Sequence, residues 1–179
     1  MLPDVVRPLK HKDGPAIQMD PNAPKTVIEI EIQGKCMAPL AEEKMAEMQE
    51  TGERARAKVA AGNPDAAQVL LEKAWQLIPL RRAQCHDSVS LARGALRLMA
   101  FSGKPSLALR WINELKSLPV SDLDPGPDFL QGVTYYELGD LNRAYEHFQR
   151  SLTMSKGRCF VREEPKYLSF YKEHAAKRK

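Results

Sequence analysis

Long apolar runs are missing from this chain. No stretch approaches the roughly 18 apolar residues of a membrane-spanning helix, so such a helix is not expected. Cysteine is scarce. Cys36, Cys85 and Cys159 are far apart, odd in number and form no CxxC pair, which argues against a zinc ribbon or a disulfide scaffold. Met1 to Pro8 contains two prolines and no apolar core of signal-peptide length, so export by that route is not expected. A reducing, cytoplasmic location follows as the expectation. Aromatic residues are few, and the strongest strand formers cluster in one place only.

Catalytic patterns are missing too. No glycine-rich phosphate loop occurs, and His11, His86, His147 and His174 lack metal-ligand spacing. Cys85-His86-Asp87-Ser88 has the residue types of nucleophilic catalysis. Neighbouring side chains diverge by about 100° on a helix and point to opposite faces of a strand, so they cannot align as nucleophile, base and orienter. Asp87 or Ser88 is expected instead to cap a helix. Glu42-Glu43 and Glu163-Glu164 read as first-turn acids of helices. Neither an enzyme nor a cofactor or metal is expected.

The net charge of +4 is unevenly distributed. Residues 156–179 hold eight basic and three acidic groups, and the rest of the chain is near neutral. The basic end most simply keeps the chain soluble. Nucleic-acid binding through it is the alternative, and that reading predicts steep salt dependence.

Three segments can be separated. Residues 1–38 form a proline-rich arm with Pro3, Pro8, Pro15, Pro21 and Pro24. Within it, Ile28, Ile30 and Ile32 alternate with Glu29 and Glu31, which predicts a half-buried strand near 26–33. That strand needs the helical body, a partner or a second copy to cover its isoleucines, so a homodimer through it is one alternative. Residues 39–156 read as helices. Residues 157–179 hold one more helix, starting near Pro165, and the basic end.

The helical part repeats. From the anchors Gly62, Gly103 and Gly139, five residues on come Ala67, Ala108 and Ala144. Nine on come Leu71, Ile112 and Phe148, and twelve on come Ala74, Leu115 and Ser151. A glycine ends one helix in the left-handed conformation, and a capping residue or proline starts the next: Asn63-Pro64, Lys104-Pro105 and Asp140. The small alanine lets two helices approach, and the residues beyond it on the same face fill the groove.

These columns resemble the tetratricopeptide repeat. The third copy is clearest, with Gly132, Tyr135, Tyr136, Leu138, Gly139, Ala144, Tyr145, Phe148 and Leu152. The expected period is about 34 residues. Here the glycines are 41 and 36 apart, so two loops, 80–88 and 120–126, are lengthened. The first two copies also lack the large–small pair that usually opens the first helix. The resemblance implies an all-α fold of three helical hairpins stacked as a short solenoid and closed by a C-terminal capping helix. The phrase Glu164-Pro165-Lys166-Tyr167-Leu168-Ser169-Phe170-Tyr171 resembles, over a shorter span, the end of some bacterial proteins of this family encoded beside polymorphic toxins.

The resemblance also implies protein binding in a concave face lined by the first helix of each hairpin. Carried over residue by residue, that face holds Gln49, Arg56 and Val59, then Ser90, Arg93, Arg97 and Phe101, then Phe129, Val133, Tyr136 and Glu137. Arg93 and Arg97 share one helix face and with Arg56 make a basic strip; the aromatics supply anchors. The expected partner is a protein with acidic and apolar contact groups. The family's two-carboxylate clamp maps onto Gly52, Arg56, Gly94, Gly126 and Leu130, of which only Arg56 is polar, so that clamp is absent. The most concrete expected function is a bacterial immunity protein that neutralises a toxin domain. A secretion chaperone and a scaffold or assembly subunit are the alternatives.

Overall fold

The computed structural model describes residues 40–79 and 81–178. Seven α-helices and no strand occur among them: α1 (Glu42–Ala60), α2 (Pro64–Leu77), α3 (His86–Ala100), α4 (Ala108–Lys116), α5 (Pro125–Glu137), α6 (Leu141–Ser155) and α7 (Pro165–Lys177). Single 3-10 turns lie at Arg82–Gln84, Pro105–Leu107 and Arg158–Phe160. Where it is described, the chain is all-helical. The expected arm, and the strand near 26–33, lie outside the described residues.

Local chemistry starts and stops these helices. Gly62, Gly103 and Gly139 all sit at positive φ (73°, 77° and 79°), where a Cβ would be strained, and each reverses the chain after a helix. The Asn63 side chain accepts a hydrogen bond from the Ala66 amide at 3.1 Å, and Asp140 accepts one from Arg143 at 3.1 Å. Proline follows the caps of α2, α5 and α7, where its missing N–H costs nothing.

One expected cap is different. Helix α3 begins at His86 with Cys85 as the flanking residue, so Asp87 and Ser88 lie in its first turn and cap nothing. Ser88 is fully buried because it shares a core-facing stripe with Ala92, Leu96 and Met99. Glu163 and Glu164 likewise precede α7, which starts at Pro165, and are not first-turn acids.

Consecutive helices pack in pairs: α1 on α2, α3 on α4, α5 on α6. The pairs touch through α2 and α3, α3 and α5, and α4 and α5, and α7 rests on α6. The columns found in the sequence form the seams. Ala67, Ala108 and Ala144 have no exposed surface, and Leu71, Ile112, Phe148, Ala74, Leu115 and Ser151 are all buried. Each large apolar side chain removed from water contributes about 1.5–3 kcal/mol.

Between α5 and α6 the fit is tight. A Cβ on Gly132 would come within 2.5 Å of the Phe148 ring, so only glycine lets the two helices approach this closely. Between α2 and α4, Trp75 and Trp111 meet edge to face with centroids 5.7 Å apart. The Trp111 indole N–H donates to Gln68 at 2.9 Å. Arg110 grips both oxygens of Glu72, at 2.8 and 3.0 Å.

Candidate binding groove

Helical spacing puts the groove together. On α1, Gln49, Gly52, Arg56 and Val59 fall on one face. On α3, Ser90, Gly94 and Arg97 do the same, with Phe101 just past its end. The two faces meet around a concavity of about 840 Å³, with Met48, Leu71, Leu91, Ala95 and Leu98 as its apolar floor and Glu53 at its edge. Six of the seven positions carried onto the first two copies therefore line one cavity; Arg93 does not.

The arginines are not equivalent. Arg97 donates to Glu163 Oε1 at 2.8 Å, and its guanidinium lies 5.3 Å from the centre of the Phe101 ring. Arg93 pairs with Asp124, the capping residue of α5. Two of the three members of the expected basic strip are thus held by carboxylates of the chain itself. Arg56 is exposed and forms no ion pair among the described residues.

The third set of positions lies elsewhere. Phe129 and Val133 are in the core, only 3% and 0% exposed, so they do not face a partner. The reason is α7 and the turn before it. Phe129 packs against Phe160 and Tyr167 with centroids 5.0 and 6.2 Å apart. Tyr136 packs on Tyr167 and Phe170 at 5.5 and 5.0 Å. Glu137 accepts a hydrogen bond from the Tyr167 hydroxyl at 2.9 Å and pairs with Lys166 at 2.9 Å. Burial and the Glu137 carboxylate together hold the Tyr167 hydroxyl well above the usual tyrosine range. Helix α7 and the turn before it have taken Phe129 and Tyr136 for their own packing, and the groove that holds the remaining positions lies between α1 and α3 over Leu71 of α2.

Sequence reasoning missed a second concavity, of about 700 Å³, between α4, residues 120–124, α5 and α6. Ile112, Leu115, Pro127 and Met154 line it together with Lys116, Asp122, Asp128 and Arg150. Asp128 meets His147 Nδ1 at 2.8 Å and Arg150 Nε at 3.0 Å. Burial pushes the Asp128 carboxyl up, but the hydrogen bonds and charges of His147 and Arg150 outweigh it and hold it below the usual carboxylate range. These residues are spread over four elements, so no spacing in the sequence signals them. Among the described residues no group of three metal-ligating side chains comes together, and no helix is long and apolar enough to cross a membrane.

No family model, no curated protein and no solved structure matches this chain.

Proposed function

We propose that the chain is a non-enzymatic protein-binding protein of the tetratricopeptide kind, and that the groove between α1 and α3 receives its partner. One observation carries the reading. Positions chosen from the register of the repeat alone, on helices some 40 residues apart in sequence, converge on one cavity. Stacked hairpins of this kind present their first helices to extended or helical protein segments.

Within that class, a bacterial immunity protein that covers a toxin domain is the most concrete form. Its support is the C-terminal phrase around Pro165 to Tyr171. That phrase has a packing role here, because Tyr167, Phe170 and Tyr171 seat α7 on α5 and α6. It bears on the kind of fold and leaves the partner to experiment.

The test is co-purification of the tagged full chain from the cells that express it, beside an Arg56→Glu variant. Arg56 suits this control better than Arg93 or Arg97, whose reversal would also break the pairs with Asp124 and Glu163. A single stoichiometric protein lost in the variant is the expected result, and a toxin domain would select the immunity form. Recovery of nucleic acid alone, released by salt, would overturn the reading.

A further inference from the structure

Leu123, on the connection between α4 and α5, is 86% exposed, the most exposed of the large apolar side chains among the described residues. A lone exposed leucine needs no explanation. Two observations set this one apart. The turn that carries it is pinned. The Leu123 N–H donates to the Ser121 hydroxyl at 3.2 Å, and the Asp124 N–H donates to the Ser121 carbonyl at 3.0 Å. Asp124 in turn accepts from the Gly126 amide at 3.0 Å and pairs with Arg93. Leu123 also stands between Asp122 and Asp124, which both line the concavity of about 700 Å³, without lining it itself. Ile112, Leu115, Val120, Pro127 and Met154 make that lining largely apolar. A fixed apolar knob therefore lies beside an apolar hole.

The charges at the rim add an independent observation. Asp124 is held by Arg93, and Asp128 by His147 and Arg150. Lys116 and Asp122 are both exposed and form no ion pair among the described residues. The rim thus offers one cation and one anion. A surplus of one sign would select a partner of the opposite sign. One of each, beside a knob and a hole, matches the same surface turned about a two-fold axis.

We infer that this surface is a self-association site, where two copies of the chain meet about a two-fold axis. Leu123 of each copy enters the concavity of the other, and Lys116 of each pairs with Asp122 of the other. The leucine supplies most of the affinity, and the pinned turn lowers the cost of ordering it. The exposed ion pairs contribute little energy and set the register. One knob and one hole per copy make a small interface, so the dimer belongs among weak complexes. The surface shares no lining residue with the groove between α1 and α3, so its test is independent of the protein-binding reading.

The experiment is analytical ultracentrifugation of the full chain over a concentration series reaching about 1 mM. The wild type is compared with Leu123→Ser, Lys116→Asp, Asp122→Lys and the double variant that exchanges the two charges. All three side chains are exposed, so the dilute variants should melt close to the wild type. The expected result for the wild type is a monomer–dimer equilibrium. Leu123→Ser should raise its Kd by about tenfold or more, because the two-fold contact loses two buried leucines. Each single charge variant should weaken the dimer several-fold, and the double variant should recover it.

A chain still monomeric at about 1 mM would overturn the inference and leave the protein-binding reading standing. A dimer indifferent to Leu123→Ser would place self-association on another surface and overturn it too. Assembly that grows beyond two copies would mean a head-to-tail contact and exclude the two-fold arrangement. A double charge variant no better than either single one would exclude it as well.

Discussion

The Tyr167 hydroxyl donates to Glu137 Oε1 at 2.9 Å, tying α7 to the end of α5 across thirty residues of chain. The ring itself is 1% exposed and packs against Phe101, Phe129, Tyr136 and Phe148. Packing outweighs the hydrogen bond here. Tyr167→Phe should cost about 1 kcal/mol, since Glu137 keeps Lys166, while Tyr167→Ala should cost about 3–5 kcal/mol through the cavity it leaves. Denaturant titration of both variants against the wild type measures the difference.

The same pair sets an alkaline limit. The Tyr167 hydroxyl titrates above its ordinary value in the folded chain, so the folded state keeps its proton when the unfolded state releases it. That contribution is fully present below the unfolded value of about 10 and is lost as pH rises through the folded one. Stability measured from neutral pH upward should therefore decline beyond about pH 10, and Tyr167→Phe should decline less steeply. Parallel curves would remove Tyr167 from the alkaline transition.

Two glycine-to-alanine changes should act in opposite directions. Gly132→Ala forces a methyl group into the Phe148 ring and should destabilise by about 1–3 kcal/mol despite the better helix propensity. Gly94→Ala meets nothing within 4 Å among the described residues and should stabilise by up to about 1 kcal/mol. Thermal unfolding of the two variants side by side checks the sign of each.

Acid stability should depend on Asp128, whose carboxyl titrates below its ordinary value in the folded chain. A depressed value means stability that is present above the unfolded value of about 4 and lost as pH falls through the folded one. Asp128→Asn should cost about 1–3 kcal/mol at neutral pH and flatten the acid limb of the stability curve. An unchanged acid midpoint would show that His147 and Arg150 do not depend on this carboxylate.

The fork between Glu72 and Arg110 joins α2 to α4, but Arg110 is 39% exposed on its side chain and water screens the pair. A double-mutant cycle of Glu72→Ala and Arg110→Ala should return a coupling of about 0.5–1 kcal/mol. A coupling several times larger would mean that the pair behaves as a buried one.

Much of the helical body was legible in the sequence because its signals are local. Asn63, Asp140 and the three column glycines act within a few residues of themselves, through caps and left-handed turns. The buried columns from Ala67 to Ser151 were legible because helical spacing fixes which side chains share a face. The α1 and α3 walls of the groove were reached only through the resemblance to the tetratricopeptide repeat, whose positions were carried over residue by residue. The misreading at Asp87 and Ser88 came from a helix that starts earlier, at His86, where a cap and a core residue look alike, whereas Glu163 and Glu164 sit just before the start near Pro165 that the sequence already indicated.

The sequence by itself determined that the body is helical, where its glycine turns fall and which column residues are buried. Each of these depends on residues no more than a turn or two apart. Only the tertiary structure decided which charges remain open and which aromatics remain exposed. Glu163 reaches Arg97 across 66 residues, Asp124 reaches Arg93 across an intervening helix, and Tyr167 covers Phe129. Such pairings depend on where α7 and the α4–α5 connection come to rest, which follows from packing among whole helices and from no local spacing.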